Sequence, residues 1–344
     1  MTATLHDVAA KAGVSAITVS RALNNSGYVS SHTRQRILDA ATELNYVPNA
    51  LASSLRSQRT QLLALLLTDV TNPFWTTVAR GVEDTAIDAG YAVILCNTDE
   101  DPTKEARYLD LLLRRRIDGL LIAPTVESTE LLRTLKRRKV PFVLIDRQVS
   151  GLSADIVRGD SYTGAYRLTA HLLATGYRQI AMIGGPATVS TGEDRVRGYL
   201  TALQDAGVAP DEGLIRRGPY RQAWGYAAMQ DLLASGRRPA AIFAANNVIA
   251  LGVLEALRAH DLRVPEDVAV VSFDDFPPSV GAAPFLTAAV QPAADLGRQA
   301  MRLLLERLAY PDGEPRDIVL PTELVVRQSC GCAPPAPSAP GSGG

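Results

Sequence analysis

The first 45 residues alternate short amphipathic segments with turn residues, a pattern that predicts three short helices. The stretch "TLHD" places a threonine three residues before an acid, as a capping box does, and the helix that it starts runs to Gly13. Ser15 is positioned to cap a second helix that reaches about residue 24, and Ser30 or Ser31 to cap a third. The third helix has one apolar face, made of Ile37, Leu38, Ala41 and Leu44.

From residue 62 onward, short and continuously apolar runs alternate with segments of helical period. Such runs are typical of parallel strands that are buried on both faces. The alternation predicts an α/β fold of doubly wound parallel sheets, and the number of runs favours two sheets divided near residues 158–162. The predicted strands are "LLALLLT" (62–68), "YAVILCN" (91–97), "DGLLIAP" (118–124), "VPFVLID" (140–146), "QIAMIGG" (179–185), "PAAIFAAN" (239–246) and "DVAVVSFDD" (267–275).

The segment "VAAKAGVSAITVSRALNN" (8–25) has the order helix, glycine-containing turn, helix, which allows a second helix to enter the major groove of DNA. We expect Ala16, Ile17 and Arg21 to face outward, and the Arg21 guanidinium has the fork that pairs with guanine. The inward positions are Val14, Val19 and Leu23. An ordinary helical hairpin has the same pattern, so the pattern alone leaves both interpretations open.

Charge and length refine this picture. The 344 residues are enough for two or three compact units, and the net charge of −1 indicates no global affinity for nucleic acid or membranes. Residues 1–60 carry six basic and three acidic side chains, a local charge of +3 that leaves −4 for the rest. This asymmetry fits a small unit that approaches phosphates, attached to a larger one that does not.

Several classes of protein are disfavoured. No apolar run approaches the length of about 18 residues that a membrane span needs, and the N-terminus has no basic-then-apolar leader, so we expect a cytoplasmic protein without membrane contact. Phosphate-loop, zinc-protease and dinucleotide-binding motifs are missing, and the four histidines are not placed to form a nucleophile–base pair. We therefore expect neither an enzyme nor a cofactor.

The three cysteines predict no metal site. Cys96 lies in an apolar, strand-like run and is expected to be a buried thiol. Cys330 and Cys332 form an isolated C-x-C pair, which supplies too few ligands for zinc without a further partner. The composition of residues 333–344 predicts a disordered tail.

Ligands of doubly wound sheets bind beyond the carboxyl ends of the strands. Aromatic rings beside carboxylates, amides and guanidinium groups suit a polyhydroxylated ring, because its faces stack and each hydroxyl both donates and accepts. Simple capping of the next helix is an alternative role for Asn246 and Asp274, and core packing is one for Phe74. The candidate ligand-binding residues at these strand ends are Phe74, Trp75, Asn97, Asp146, Arg147, Arg195, Tyr220, Asn246 and Asp274.

The N-terminal sequence from "TLHDVAAKAGVSAITVSRALNN" to "YVPNALASSL" resembles the DNA-binding domain of the LacI/GalR family of bacterial repressors. The resemblance covers about residues 3–330 and continues through "NPFW", "RRRIDGLLIAP", "VLIDR", "RVRGY", "ALGVLEAL", "VPEDVAVVSFDD" and "TELVVRQS". It implies a helix-turn-helix headpiece, a hinge, and a two-lobed periplasmic-binding-protein-like core that forms a homodimer. The implied boundaries are 1–48 for the headpiece, 49–60 for the hinge, 61–332 for the core and 333–344 for the tail; within the core, the N-lobe spans about 61–159 and 291–319 and the C-lobe about 160–290 and 320–330.

The resemblance also explains the short segment "YVPNALASSLRS" (46–57). An eight-residue helix is unstable alone in water, and the family forms it only on the operator, where two copies pair in the minor groove. Ala52 provides a small contact surface between the copies, and Leu55 wedges between base pairs. The implied contacts to a pseudo-palindromic DNA operator are Ser15, Ala16, Ile17, Thr18, Arg21, Asn24, Asn49, Ala52 and Leu55.

In the core, the resemblance assigns the central effector contacts to Arg195 and Asp274, supported by Asp146, Tyr220 and Asn246. Two departures from the family pattern bear on the effector. Asn247 stands where many members have aspartate, and Val189 stands where purine-sensing members have a second arginine. Both favour a small sugar over a purine or another metabolite. The implied function is therefore a sequence-specific transcription repressor under sugar control, while a solute receptor or an enzyme without DNA binding is the remaining alternative.

Overall fold

The computed structural model describes residues 3–24, 26–47, 59–126, 128–276 and 285–332. The chain forms two compact units, residues 1–60 and 61–344. Most of the predicted hinge, with Asn49, Ala52 and Leu55, lies outside the described residues, as does the predicted tail. Among the described residues, no helix is both long enough and apolar enough to cross a membrane.

The N-terminal unit contains three helices, and their starts follow the capping signals in the sequence. Thr4 and Asp7 form a capping box, in which the Thr4 backbone nitrogen donates to the Asp7 carboxylate over 2.7 Å. The Ser15 and Ser30 hydroxyls accept from backbone nitrogens three residues later, each at 3.2 Å. Ser30, not Ser31, is therefore the cap of the third helix. The helices are α1 (Leu5–Ala12), α2 (Ala16–Leu23) and α3 (Ser31–Glu43).

One small apolar core holds these helices together. Val8, Val19 and Ile37 are fully buried, one from each helix. The expected position of Leu38 in this core is wrong, because its side chain is 41% exposed. Ala16, expected to face outward, packs partly against the core. Helix α3 therefore meets the core along a narrower face than its periodicity predicts, and α2 meets it along a wider one.

The larger unit contains two parallel sheets covered by helices, as the apolar runs predict. The strands are β1 (Leu62–Leu67), β2 (Ala92–Asn97), β3 (Gly119–Ile122), β4 (Phe142–Ile145), β5 (Asp155–Gly159), β6 (Ile180–Gly184), β7 (Ile215–Arg217), β8 (Ala241–Ala244), β9 (Ala269–Phe273), β10 (Thr287–Val290), β11 (Asp317–Leu320) and β12 (Glu323–Val325). The N-lobe is the sheet with the strand order β11-β5-β4-β3-β1-β2 and its helices, and the C-lobe is the sheet with the order β12-β10-β9-β8-β6-β7 and its helices. The helices are α4 (Pro73–Asp88), α5 (Pro102–Arg114), α6 (Thr129–Arg137), α7 (Ser161–Ala174), α8 (Ser190–Asp205), α9 (Gln222–Ala234), α10 (Asn247–Ala259) and α11 (Ala293–Ala309).

Strand position explains which apolar runs are buried. The interior strand β1 pairs in parallel with β2 and β3, and residues 63–67 are fully or almost fully buried. The neighbouring β2 lies at the sheet edge, so Leu95 is 44% exposed although its run was expected to be buried. All pairings are parallel among the described strands except β10 with β12, which is antiparallel.

Helices of the N-lobe approach one another closely through glycine. Gly81 in α4 and Gly297 in α11 face the partner helix, and a Cβ atom at either position would lie only 2.1 Å from a backbone oxygen, that of Ala294 or of Val78. This separation is far below van der Waals contact, so only glycine permits the observed packing. The contact fixes α11, which comes late in the chain, onto the sheet formed by the first hundred residues of the larger unit.

The chain passes between the lobes three times. The crossings lie between β5 and α7, between β10 and α11, and between β11 and β12. Two crossings run side by side, since the Asp160 backbone nitrogen donates to the Leu320 oxygen over 2.9 Å. Short parallel connections of this kind allow one lobe to move relative to the other without unfolding either.

A buried ion pair joins β5 to the end of α11. Asp155 accepts two bonds from the Arg307 guanidinium, at 2.5 and 3.0 Å, and a third from the Arg316 backbone nitrogen at 2.9 Å. Both side chains of the pair are less than a tenth exposed. Removing one partner leaves the other charge buried without compensation.

We expect Asp155→Ala to lower the free energy of unfolding by about 3 kcal/mol for this reason. Differential scanning calorimetry of the full chain measures the effect. The control is Asp267→Ala, which breaks the exposed pair with Arg263 and should lower the melting temperature much less. Equal losses in the two variants would contradict this account of the buried pair.

Candidate functional site

A cavity of about 380 Å³ lies between the two lobes, at the carboxyl ends of their strands. Its position follows from the topology, because the loops after β1, β2, β4, β8 and β9 all meet there. The residues that line it are Thr68, Asp69, Thr71, Asn72, Phe74, Trp75, Asp99, Glu100, Asp146, Arg147, Thr191, Arg195, Tyr220, Arg221, Asn246, Asp274 and Gln291. We refer to this cavity as the cleft.

The structure brings eight of the nine candidate ligand-binding residues to the cleft. They are Phe74, Trp75, Asp146, Arg147, Arg195, Tyr220, Asn246 and Asp274. The ninth, Asn97, does not line it. Its amide instead joins two loops, accepting from the Val70 backbone nitrogen at 3.0 Å and donating to Asp99 over 2.7 Å.

Arg195 is the buried cation of the C-lobe side. It projects from α8, donates to the Ala245 oxygen over 2.7 Å and lies 3.8 Å from the Asp274 carboxylate. Its guanidinium carbon stands 3.7 Å from the centre of the Phe273 ring, a cation–π contact that offsets part of its lost hydration. The side chain is therefore held rigidly, with its remaining donors available at the cleft.

Arg147 is the matching cation of the N-lobe side. The Glu100 carboxylate receives two bonds from its guanidinium, at 2.6 and 2.7 Å, in the bidentate geometry that arginine favours. The Arg147 Nε atom lies 3.7 Å from the Asp146 carboxylate. Glu100 was not among the candidate residues, although it follows the carboxyl end of β2, where ligands of such sheets bind.

Asp274 lies opposite Arg195 and is held by a further amide. The Gln291 side chain donates to one of its oxygens over 2.8 Å. Burial raises the pKa of Asp274 to about 6, and the nearby Arg195 opposes this shift. Burial likewise raises the pKa of Asp146. Both carboxyl groups are thus poised to respond to a ligand that replaces their lost hydration.

Four carboxylate residues at the cleft have left-handed backbone conformations. The φ angles are 55° for Asp99, 60° for Glu100, 68° for Asp146 and 61° for Asp274. Such conformations are uncommon for residues other than glycine and concentrate at functional sites. All four residues follow the carboxyl end of a strand and line the cleft.

The aromatic residues divide into two groups. Phe74 and Trp75 belong to the N-lobe core and meet edge to face, with ring centres 5.0 Å apart, so the packing alternative for Phe74 is correct alongside its place at the cleft wall. Tyr220 stands between the two cations, 5.7 Å from Arg147 and 5.9 Å from Arg195. Its ring rests against Gly185, where any Cβ would collide with it.

Two adjacent asparagines near the cleft have different roles, one as a helix cap and one as a link between the lobes. Asn246 caps α10 by accepting from the Ile249 backbone nitrogen at 2.8 Å, so the capping alternative is correct for this residue. The adjacent Asn247 donates to the Asn72 side chain of the other lobe over 3.1 Å. Two further bonds cross between lobes, from Arg221 to the Asp99 oxygen and from the Gln148 nitrogen to the Ser190 hydroxyl.

The two residues that depart from the family pattern lie outside the cleft lining. Neither Asn247 nor Val189 lines the cleft; Val189 is buried at the start of α8 beside a neighbouring cavity. The unforeseen residues at the cleft include Thr68, Asp69, Asn72, Thr191, Arg221 and Gln291. Most of these follow strand ends, but only the folded chain shows which side chains turn inward.

Three residues that line the cleft have buried polar atoms without a partner. Among the described residues, Asp146 Oδ1, Arg147 Nε and Gln291 Oε1 are buried and have no hydrogen-bond partner. Leaving such atoms unpaired is costly, so a ligand that pairs with them gains affinity. The set offers both acceptors and donors, as a molecule with several hydroxyl groups requires.

The headpiece presents a separate candidate surface on α2. Ile17 is 66% exposed, and the Arg21 side chain is exposed near Gly27. The Ser15 and Thr18 hydroxyls lie 2.9 Å apart, while the exposed Asn24 amide donates back to the Ser20 oxygen. Arg34 and Arg36 donate to the carbonyl oxygens of Ala22 and Ala12, so they hold the helices together.

Comparisons with known proteins match models of two protein families to separate parts of the chain. The model of bacterial regulatory proteins of the lacI family matches residues 4–49, and that of a periplasmic-binding-protein-like domain matches residues 169–330. An HTH-type transcriptional repressor PurR from Mannheimia succiniciproducens is 34% identical over 330 residues, which make up 95% of this chain and 98% of that protein.

Solved structures extend the similarity. A transcriptional regulator CelR–cellobiose complex shares 35% identity, with a TM-score of 0.73 over 95% of this chain and 99% of its own. A Lac repressor dimer bound to operator and the anti-inducer ONPF shares 26% identity, with a TM-score of 0.84 over 96% and 99%. With a matching N-terminal domain, two parallel-sheet lobes and full-length relatives, the chain belongs to the lacI family of bacterial regulatory proteins.

Proposed function

We propose that this protein is a transcription repressor that binds a pseudo-palindromic operator as a homodimer and releases it when a small sugar occupies the cleft. Residues 1–48 read the DNA, 49–60 form the hinge and 61–332 sense the effector. The N-lobe of this sensor spans about 61–159 and 291–319, the C-lobe about 160–290 and 320–330. The observation that carries the proposal is the cleft itself, with buried carboxylates and guanidinium groups that have polar atoms still to pair.

The chemistry of the cleft favours a sugar. Asp146 and Asp274 accept from hydroxyl groups, Arg147 and Arg195 donate to them, and the Tyr220 ring offers an apolar surface for a sugar face. The volume of about 380 Å³ suits a small ligand. The similar CelR structure contains cellobiose, which is consistent with this class of effector.

A purine is the second candidate, because PurR repressors are among the similar proteins. Asn247 and Val189 lie outside the cleft lining, so they discriminate less between the two effectors than the sequence pattern indicated. The remaining argument for a sugar is the carboxylate content of the cleft. Five acidic residues line it, and these accept hydroxyl hydrogens more readily than they pair with the acceptor-rich edge of a purine.

We infer a regulatory role without catalysis, in the cytoplasm, from the similarity to DNA-binding regulators. The related proteins are named as regulators.

The contacts between the lobes provide a route from effector to DNA. Bonds such as Asn247 to Asn72 and Arg221 to Asp99 hold one lobe arrangement. An effector that binds another arrangement more tightly shifts the population toward it. That shift moves the point where each hinge leaves its lobe and weakens the pairing of the hinges on DNA, in proportion to the difference in affinity.

A ligand screen tests the sensor. Sugars, sugar phosphates and nucleobases are added to the full chain, and the thermal shift is recorded, since a ligand that binds only the folded state raises the melting temperature. We expect sugars to give the largest shifts. A dominant shift with nucleobases would replace the sugar by a purine without changing the fold or the DNA-binding role.

We expect Leu55→Ala to weaken binding of an operator selected from random duplexes by about tenfold or more, because the wedge between base pairs is lost. Gel-shift titration measures the loss, and ligand affinity should stay unchanged. Leu38→Ala serves as the matched control, since Leu38 is an exposed leucine of the headpiece that has no assigned DNA contact. Unchanged binding by the Leu55 variant would refute the role of the hinge.

We expect Asp274→Asn to abolish release of the operator at effector concentrations that release the wild-type protein. The asparagine keeps an oxygen for Gln291 but removes the charge that faces Arg195 and the ligand. Operator affinity without effector should stay within about threefold. Asp267→Asn, at an exposed position outside the cleft lining, is the control. Normal release by the Asp274 variant would show that the effector binds elsewhere.

Effector affinity should fall as the pH drops below about 6. The raised pKa of Asp274, about 6, means that this carboxyl protonates through that range and loses charge as an acceptor. At pH 5 about a tenth of the groups stay ionised, so the apparent Kd should rise roughly tenfold. Titration calorimetry from pH 5 to 8 measures the change, and the Asp274→Asn profile should be flatter. A Kd independent of pH would exclude the ionised form as the binding species.

A further inference from the structure

Three metal-ligating side chains meet in the C-lobe, outside the cleft. The His171 Nε2 atom lies 3.3 Å from the Cys330 sulfur and 3.6 Å from the Cys332 sulfur. All three potential ligand atoms are within 4.8 Å of one another. The two cysteines alone were too few for a metal site, and the histidine is 159 residues from the nearer one, so spacing along the chain does not reveal this cluster.

The fold builds this cluster from two rigid parts. His171 lies in the last turn of α7, and the cysteines flank Gly331 after the short turn Gln328–Cys330. The Ser329 hydroxyl anchors that turn to the sheet, donating to the Val270 oxygen over 2.6 Å and accepting from the Thr287 nitrogen at 2.8 Å. The cysteines are thus held in place by the main chain of the sheet.

Gly331 allows both sulfurs to reach the histidine. Its φ angle of 77° is left-handed, and a Cβ atom there would lie 2.8 Å from the Tyr177 hydroxyl. Any other residue at this position would be strained and crowded. Glycine therefore fits the requirement that the backbone reverse tightly between two thiols.

The spacing agrees with tetrahedral coordination. Zinc binds sulfur at about 2.3 Å and imidazole nitrogen at about 2.0–2.1 Å, which places these two ligands roughly 3.6 Å apart at a tetrahedral angle. The two observed nitrogen–sulfur distances, 3.3 and 3.6 Å, are close to this value.

We propose that His171, Cys330 and Cys332 bind one Zn²⁺ ion, with a fourth position open to water. Each thiol loses its proton to solvent as its sulfur–zinc bond forms, and the imidazole binds through Nε2. Cys330 is buried, while His171 and Cys332 are partly exposed, so the ion has an entry path from solvent. Borderline-soft nitrogen and sulfur ligands suit zinc better than magnesium or calcium.

Zinc here joins the C-terminal segment to α7. The other end of that helix contacts the cleft, since the Arg195 guanidinium donates to the Ser161 hydroxyl over 3.3 Å. Binding to the folded state alone stabilises the C-lobe by mass action. The three cysteines are free thiols in the structure, and a Cys330–Cys332 disulfide is the competing use of the pair.

The test uses the full chain, reduced and stripped with a chelator, then titrated anaerobically with Zn²⁺ against a chromophoric competitor. We expect one tight equivalent per chain and a higher melting temperature. Titration with Co²⁺ reports the ligands directly, because thiolate–cobalt bonds give charge-transfer absorption and a tetrahedral site gives intense visible bands.

Cys332→Ser and His171→Gln should each weaken Zn²⁺ binding by about 100-fold or more, since each removes one of three protein ligands. Matched controls are Cys96→Ala, a thiol in the N-lobe, and His260→Gln, a histidine at the end of α10; both should bind as the wild type does. Circular dichroism confirms that each variant is folded.

Three outcomes overturn the proposal: no Zn²⁺ equivalent that withstands the competitor, binding insensitive to both ligand variants, or Co²⁺ spectra without thiolate bands. A Cys330–Cys332 disulfide that persists after reductant treatment would likewise assign the pair to redox chemistry. None of these four outcomes bears on operator or effector binding, which the variants of Leu55 and Asp274 test separately.

Discussion

The need to compensate buried charge organises the larger unit of this protein. Arg147, Arg195, Asp146 and Asp274 are each less than a tenth exposed at the junction of two lobes. Taking them out of water is costly unless opposite charges and hydrogen bonds replace the lost hydration. Glu100 and Gln291 supply part of that replacement, and a few polar atoms of Asp146, Arg147 and Gln291 stay unpaired, as the proposed effector site requires. The same requirement thus shapes the cleft and makes it a sensor.

The topology places these buried charges between two lobes that short connections join. Residues of the cleft come from the carboxyl ends of strands in two separate sheets, which three short crossings connect. A ligand that pairs with Asp146 on one side and Asp274 on the other therefore joins two bodies that can move. The hydrogen bond from Asn247 to Asn72 stabilises the arrangement of the lobes in this structure. A ligand that prefers this arrangement raises its population, and one that prefers another arrangement lowers it.

Sequence patterns predicted the parts of this fold whose environment is simple. The run around β1 is continuously apolar because an interior strand is buried on both faces, and the helix starts at Thr4, Ser15 and Ser30 follow from local hydrogen bonds. Strands with charged or small residues, such as β7 (Ile215–Arg217), gave no signal because pairing at an edge does not need apolar side chains. Asn97 lies at the carboxyl end of a strand, as expected for a ligand-binding residue, but its side chain bonds to a loop instead. A position at a strand end does not determine the rotamer of the side chain.

The sequence by itself determined the class of fold, the helix-turn-helix, the family resemblance and eight of the seventeen described residues that line the cleft, because periodicity, capping and strand ends are local properties of the chain. Only the tertiary structure decided which distant groups meet. It paired Arg147 with Glu100 and brought His171 to Cys330 and Cys332. Those contacts depend on how packed helices and sheets direct side chains in space, which spacing along the chain does not encode.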